Sequence, residues 1–288
     1  MKLIKNILLF GGVLVILSGC LFKRDTMEDI NIYTTSYPIN YLIDYLYGNN
    51  AKINSIFPNG VNIDEFEISD KKIKEYANSD LFVFNSLDID KDYAVKFINN
   101  NEELKIIDVS MGMSYDYDVH ELWLNPYNYL MMAQNLKNSL NNYITNPYLS
   151  EEIDNNYEEL KYELSKLDAT LKQIVSESQN KVLVVDNDLF KFLEKYNVRV
   201  ISLEENDNLT EPTINEAKKL ISDGNIKYIY SINKESNDTV KALIEEYGVE
   251  LLTVNDMRSV DGGVTTSNDS YLSIMNNNIE LLKKELLK

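Results

Sequence analysis

The most regular pattern in the chain lies near its middle, and it limits the fold more than any other feature. Its apolar residues are separated by gaps that alternate between four and three, which places them on one face of an α-helix. They are Ile153, Tyr157, Leu160, Leu164, Leu167, Leu171 and Ile174. Ser150 is a candidate N-cap, and about 28 residues at ~1.5 Å each give a rod of roughly 42 Å. Such a rod is either a coiled-coil arm or a spine packed across two lobes.

Units of strand and helix flank this segment on both sides and favour the spine. The periodicity lasts only about four heptads, which is short for a coiled coil. Apolar runs typical of buried strands occur at 30–35, 51–56, 81–84 and 104–109 before the spine, and at 181–185, 198–203, 226–232 and 250–254 after it. Helical patterns alternate with these runs. The alternation predicts an α/β fold with two parallel-sheet lobes joined by a long backbone helix.

The first residues have the features of a processing signal. An apolar stretch at 7–17 is too short to span a bilayer, and small residues precede Cys20, the single cysteine of the chain. The run resembles the lipobox of bacterial lipoproteins, which implies cleavage before Cys20 and acylation of its thiol. The alternatives are an ordinary signal peptide and an uncleaved anchor, and each of them also exports the protein.

These features give an expected division of the chain and a location. The expected segments are a signal peptide at 1–19, a lipid-anchored tether at 20–29, an N-terminal lobe at 30–148, the linking helix at 149–180 and a C-terminal lobe at 181–288. The expected location is the extracytoplasmic face of the cell membrane, where the lipid holds the chain.

The charge of the chain excludes some partners. The 46 acidic residues outnumber 28 basic ones, and loss of Lys2 and Lys5 with the signal takes the net charge from −18 to −20. Such a surface repels nucleic acid and anionic lipid, so membrane association has to come from the anchor. With Cys20 acylated, neither a disulfide nor a cysteine-ligated zinc site is available.

Several enzyme motifs begin in the sequence but are not completed. The segment that starts at His120 resembles the zinc-protease helix, but Leu124 stands where the second histidine belongs. Asp88, Asp90 and Asp92 have the spacing of a calcium loop without its glycine and glutamate, which favours a solvated turn. Because the chain has one histidine, ordinary hydrolase machinery is hard to assemble. The chain is therefore not expected to be an enzyme, and a surface hydrolase is a minority alternative.

Short segments spread over most of the chain resemble the receptors of zinc and manganese ABC transporters in order and spacing. They are 32–38 (IYTTSYP), 57–67 (FPNGVNIDEFE), 79–85 (SDLFVFN), 121–126 (ELWLNP), 184–190 (VVDNDLF), 252–255 (LTVN), and 271–275 (YLSIM) followed by Asn278. The resemblance implies two α/β lobes linked by one long helix, which agrees with the fold predicted from periodicity.

The resemblance also implies a metal site between the lobes, formed by three imidazole or carboxylate groups and one acidic side chain. By position, the four ligands become Asp64, Glu121, Asn187 and Asn255. His120 lies one residue before the second ligand position and Asp256 one residue after the fourth. The chain thus resembles a divergent member with an eroded ligand set, in which a small shift restores one imidazole and one carboxylate.

The chemistry of these side chains limits the cargo. Zinc favours nitrogen and sulfur ligands, while oxygen ligands suit manganese, calcium and magnesium. Two carboxylates and two amides should hold zinc poorly, and participation of His120 gives a mixed site that suits manganese. The structural alternatives are that Asp64 is a turn residue, that His120 and Glu121 form a partly exposed loop pair, and that Asn187 caps a helix at 189–196.

The expected function is that of a lipid-anchored, monomeric substrate-binding component of a metal ABC transporter. It captures zinc or manganese as cargo between its lobes and docks on a membrane permease. The first alternative is a lipoprotein on the same scaffold that has lost metal binding and serves as an adhesin or interaction protein.

Overall fold

The computed structural model describes residues 25–58, 60–232, 236–258 and 270–288. Cys20 and the signal lie outside the described residues. The first lobe contains a four-stranded parallel sheet with the order β2-β1-β3-β4. Its strands are β1 (Ile30–Thr34), β2 (Ala51–Ser55), β3 (Leu81–Phe84) and β4 (Lys105–Asp108). All four residues of β3 are buried because β3 is central and both faces of a parallel sheet are covered.

The second lobe repeats this plan. Its parallel sheet has the order β6-β5-β7-β8, so the first strand of each sheet pairs with its second and third strands. The strands are β5 (Val182–Val185), β6 (Arg199–Ser202), β7 (Tyr228–Ser231) and β8 (Glu250–Thr253). Because loops at the carboxyl ends of parallel strands lie at one edge of a sheet, the loops after these strands can meet those of the first lobe.

Helices connect and cover the strands. The α-helices are α1 (Tyr37–Tyr47), α2 (Asp70–Ala77), α3 (Asp90–Asn100), α4 (Glu121–Leu124), α5 (Pro126–Tyr143), α6 (Pro147–Glu177), α7 (Glu211–Ser222), α8 (Asp238–Tyr247) and α9 (Tyr271–Leu286). Gly48–Asn50 and Asp188–Tyr196 are 3₁₀ helices, so the helix expected at 189–196 has the tighter form. None of the helices in the described ranges has the length and apolar character needed to cross a membrane.

The predicted spine is α6. Its apolar stripe is buried and packs against α1 and α5 of the first lobe and against α9, which excludes an exposed coiled-coil arm. Ser150 is not the N-cap. Asn146 caps the helix instead, because its side-chain oxygen accepts from the Tyr148 N–H at 2.9 Å and Pro147 occupies the first helical position. The prediction of two parallel-sheet lobes with a long helix is confirmed.

One continuous core joins the lobes behind the cleft. It includes Leu42 of α1, Leu164 of α6, Leu183 of β5 and Tyr230 of β7, all almost fully buried. Tyr271 at the start of α9 donates its hydroxyl to the Trp123 carbonyl at 2.6 Å. The back of the molecule is thus held by apolar packing, and the front is held by polar contacts between loops.

Candidate metal centre

The segment after β8 is the second lobe's contribution to the cleft, and Asn255 shapes it. The Asn255 N–H donates to the Asn278 side-chain oxygen at 3.0 Å, and the Asn278 amide donates back to the Asn255 carbonyl at 2.8 Å. The Asn255 side-chain oxygen accepts from the Met257 N–H at 2.8 Å. Met257 has a φ of 60°, a left-handed conformation that a non-glycine residue seldom adopts. Asn255 therefore builds the turn, and its neighbours Asp256 and Arg258 contact the first lobe.

His120 of the first lobe contacts Asp256 of the second. Its Nε2 lies 3.3 Å from Asp256 Oδ2, and its Nδ1 makes a short contact with the Asp118 carboxylate. The Trp123 indole N–H donates to the Asp256 carbonyl at 2.7 Å, beside the imidazole. The expectation of a partly exposed loop pair is wrong, because only 8% of His120 and 5% of Glu121 are exposed. His120 and Asp256, each one residue from a family ligand position, are brought together.

The two carboxylates keep the His120 ring charged. Burial alone favours the neutral imidazole, but the hydrogen bonds that the ring donates to Asp118 and Asp256, and the negative charges of these carboxylates, raise the pKa of His120 to about 9. At neutral pH the ring is therefore an imidazolium. A metal ion binds neutral imidazole, so an ion that takes Nε2 as a ligand has to replace this proton.

Asp64 also contacts the second lobe, through Arg258. The Arg258 guanidinium donates from Nε to Asp64 Oδ2 at 3.2 Å and from Nη2 to Asp64 Oδ1 at 2.5 Å. The same guanidinium binds Asp88, with Nη1 at 2.8 Å from Oδ2 and Nη2 at 3.0 Å from Oδ1. These carboxylates raise the pKa of Arg258 further above its usual range, against the effect of its burial. Asp64 is thus more than a turn residue.

The negative charge of Glu121 is stabilised by backbone N–H groups of the loop that precedes it. Its carboxylate accepts from the backbone N–H groups of Tyr117 at 2.8 Å and Asp118 at 3.3 Å. Glu121 is the first residue of α4, where a negative charge is favourable. It also lines an interlobe cavity of about 370 Å³ with Lys195, whose ammonium donates to Asn125. In this conformation Glu121 fixes the loop that presents His120.

Asn187 acts as a helix cap. Its side-chain oxygen accepts from the Leu189 N–H at 3.2 Å and caps the Asp188–Tyr196 3₁₀ helix. This is the structural alternative considered for Asn187 from the sequence. Among the described residues, the Asn187 side chain contacts the start of the 3₁₀ helix and not His120 or Asp256.

The cleft therefore gathers part of the predicted set. His120, Asp256 and Asp64 lie at the interlobe contacts, whereas Glu121, Asn187 and Asn255 serve local structure. In the part of the chain that the structure describes, no three histidine, cysteine or acidic side chains are arranged to hold an ion. Sequence reasoning did not select Arg258 or Asp118; the signal for Arg258 was an arginine two residues beyond Asp256. The solvated turn expected at Asp88, Asp90 and Asp92 is wrong for the first two. The Asp88 side chain is 10% exposed and accepts hydrogen bonds from Arg258, and Asp90 is 1% exposed.

Comparison with known proteins gives the family. The family model described as zinc-uptake complex component A, periplasmic, matches residues 32–285. The chain belongs to this family. The resemblance seen in the short motifs is thus confirmed over nearly the whole described chain.

Individual relatives are distant. The zinc-binding lipoprotein AdcA of Streptococcus pneumoniae is 21% identical over 305 residues, an alignment that covers 97% of this chain and 60% of AdcA. The chain thus spans only part of that relative. The high-affinity zinc uptake system protein ZnuA of Bacillus subtilis is 21% identical over 287 residues, covering 90% of this chain and 88% of that protein.

Solved structures agree on the fold. The Zn(II)-bound ZnuA-like domain of Streptococcus pneumoniae AdcA matches with a TM-score of 0.74 at 21% identity, covering 90% of this chain and all of that domain. The laminin-binding adhesin Lmb of Streptococcus agalactiae matches with a TM-score of 0.72 at 18% identity, covering 89% and 99%. Both likenesses establish the two-lobed architecture.

Proposed function

We propose that the chain is the lipid-anchored substrate-binding component of a metal-ion ABC transporter. It captures a divalent ion between its lobes and delivers the ion to a membrane permease, and it carries out no chemical step. Membership of the zinc-uptake family and the two-lobed fold support this role. The observation that carries the proposal is the contact of His120 Nε2 with Asp256 Oδ2, at 3.3 Å between the lobes.

The ligands we propose are His120 from the first lobe, Asp256 from the second, and Asp64 once Arg258 withdraws. One imidazole and two carboxylates offer nitrogen and oxygen donors, which both zinc and manganese accept. Zinc binds most mixed sites more tightly than manganese does. We therefore expect the affinity for zinc to exceed that for manganese and to fall below that of a site with three imidazoles.

The test is a titration of the purified chain with zinc and with manganese by calorimetry, with native mass spectrometry to count ions. One ion per chain and a raised melting temperature are expected. His120→Ala and Asp256→Ala should weaken binding by more than the about 10–100-fold that loss of an outer hydrogen-bond partner costs. Asn187→Ala is the control and should retain the affinity. A wild-type chain without a bound ion above background and without thermal stabilisation contradicts the proposal.

A second candidate rests on the same contacts. Within the described ranges no ready ion site exists, and Asp64, Asp88 and Asp256 are already paired with internal cations. This favours a lipoprotein on the same scaffold that has lost metal affinity and serves as an interaction protein. The titration decides between the two candidates, because only the receptor gains stability from an ion.

The anchoring part of the proposal concerns Cys20. Acylation of Cys20 would hold the receptor beside its permease, where the effective concentration of one for the other is high. Metabolic labelling with a fatty acid should label the wild-type chain and not Cys20→Ala. Equal membrane retention and no label in both chains would contradict a lipid anchor.

A further inference from the structure

The side chain of one arginine contacts two carboxylates of the other lobe and so joins the lobes at the front of the cleft. The Arg258 guanidinium makes four hydrogen bonds, two to Asp64 and two to Asp88. Asp64 lies in the loop after β2 and Asp88 in the loop after β3, whereas Arg258 follows β8 of the other lobe. A single guanidinium of the second lobe thus holds two loops of the first lobe in place, as a bound metal ion would hold its ligands.

The burial of these groups separates the contact from ordinary surface ion pairs. The side chain of Arg258 is 13% exposed and that of Asp88 10%, although that of Asp64 is 53% exposed. Exposed pairs contribute little because water screens them. Paired hydrogen bonds between a guanidinium and a carboxylate are stronger and more directional, and burial strengthens them further.

The turn after β8 fixes the position of the Arg258 guanidinium. The Arg258 N–H donates to Asp256 Oδ1 at 3.2 Å, while Asp256 Oδ2 faces His120. One short turn therefore presents a candidate ligand and a cation to the first lobe together. The cation binds Asp64, which is itself a candidate ligand, so an ion and Arg258 compete for the same carboxylate.

We propose that Arg258 is a built-in cation that holds the cleft closed in the absence of an ion and has to leave Asp64 before an ion is captured. The displacement step rests on the proposed function, whereas the closing role does not. An arginine keeps its charge at any pH a protein tolerates, so near neutral pH separation of the lobes or a competing cation is needed to release the contact. The affinity for the ion is then set by the strength of the arginine contact as well as by the ligands.

Trp123 is a natural probe of this closure. It is the only tryptophan of the chain, it is 1% exposed, and its indole donates to the Asp256 carbonyl across the cleft. We expect acrylamide quenching of its fluorescence to be weak in the ion-free wild type and to rise several-fold in Arg258→Gln. Quenching that is unchanged in a folded Arg258→Gln chain would overturn the closing role.

The ion titration tests the displacement step separately. Arg258→Gln should bind zinc about tenfold or more tightly than the wild type, because the ion no longer replaces a cation. If neither chain binds zinc or manganese while quenching still rises, the proposed function fails and the closing role stands. If both bind with equal affinity, the ion does not displace Arg258 and that step is overturned.

Two further variants make the test specific. Arg199→Gln is the matched control, since Arg199 pairs with Glu216 on the surface of the same lobe and its side chain is 59% exposed. It should match the wild type in quenching and in ion affinity. Asp64→Asn covers the case in which Arg258→Gln does not fold, because Asp64 is half-exposed and its change keeps the Asp88 contact. Intermediate quenching is expected, and wild-type quenching would again overturn the closing role.

Discussion

Two of the contacts that join the lobes across the cleft look alike and differ in what can release them. His120 meets Asp256, and Arg258 meets Asp64 and Asp88; in both, a cation of one lobe faces carboxylates of the other. The imidazolium can lose its proton and become a ligand through the same atom. The guanidinium can neither lose its proton nor bind a metal ion. Under the proposed function, the His120 contact can therefore supply ligands to the ion, whereas the Arg258 contact has to be broken.

The groups that meet across the cleft have the same net charge with and without a bound ion. The carboxylates of Asp64, Asp88, Asp118 and Asp256 face one imidazolium and one guanidinium, which leaves two negative charges. A divalent ion that replaces the imidazole proton and the arginine also leaves two, since four negative charges less two positive ones remain. The two internal cations together thus carry the charge of one captured ion.

The largest expected effect concerns a buried carboxylate on the Arg258 side. Asp90 is almost fully buried, and burial together with the charge of Asp88 raises its pKa to about 7, well above the usual range of an aspartate. The folded state therefore holds this proton more tightly than the unfolded chain does. The stabilisation is complete below about pH 4 and is lost as the pH rises to 7.

Asp90→Asn tests this pH dependence by removing the titrating group. The stability of the variant relative to the wild type should rise by about 3 kcal/mol between pH 4.5 and pH 7.5, measured by urea unfolding. Asp92→Asn, on the exposed side of the same helix, should show no such rise. Because the charge of Arg258 lowers the pKa of Asp90, the wild-type loss should extend to higher pH in an Arg258→Gln background. A difference that stays flat with pH would contradict the raised pKa.

Glu121→Ala should weaken the His120 contact and spare the Arg258 contact. Three backbone N–H groups of the loop before His120, those of Asp116, Tyr117 and Asp118, would lose their acceptor, and a hydrogen bond to a charged group contributes about 1.5–3 kcal/mol. We expect a loss of about 2 kcal/mol in the free energy of unfolding, together with weaker ion binding. Glu121→Gln keeps an acceptor oxygen and should lose less. Equal losses in the two variants would show that the charge matters more than the hydrogen bonds.

A comparison within the Arg258 contact should give a smaller effect. Asp88 is nearly buried and Asp64 is half-exposed, although each accepts two hydrogen bonds from the same guanidinium. Asp88→Asn should therefore destabilise the chain by about 1.5 kcal/mol, and Asp64→Asn by less than about 0.5 kcal/mol. Thermal unfolding of the two variants under identical conditions measures the difference. Equal values would mean that solvent screens both halves of the contact alike.

The fold was predictable because its signals are local. The spacing along α6 and the apolar run of β3 follow from which faces are buried. Asn125 caps α5, and Pro126 occupies the first position of that helix, a pattern typical of helix starts. The same Asn-Pro pattern stands at Asn146, yet Ser150 was chosen as the cap of α6. Asn146 and Ser150 lie four residues apart, and the proline after Asn146 is the sequence signal that distinguishes them.

The interlobe positions of candidate ligands were predictable only where the family resemblance placed them. His120 and Asp256 were recognised as one residue away from ligand positions, and both lie at the cleft. The Arg258 contact joins residues 194 and 170 positions apart, and no periodic pattern reports such a pairing. The structural alternative of a partly exposed His120 and Glu121 pair was wrong, since both residues are buried and His120 lies against Asp256 of the other lobe.

The smallest expected effect tests whether Asn187 belongs to either contact. Its oxygen caps the Asp188–Tyr196 helix, so Asn187→Ala should cost about 1 kcal/mol of stability, and Asn187→Asp, which keeps the cap, should cost less. Neither change should alter Trp123 quenching, because Asn187 contacts neither Arg258 nor His120 in the described structure. Calorimetric titration with zinc should give the wild-type affinity for both variants. A loss of zinc affinity in Asn187→Ala that Asn187→Asp restores would make this residue a ligand of the captured ion, and would mean that the second lobe turns to bring it to His120 of the first lobe.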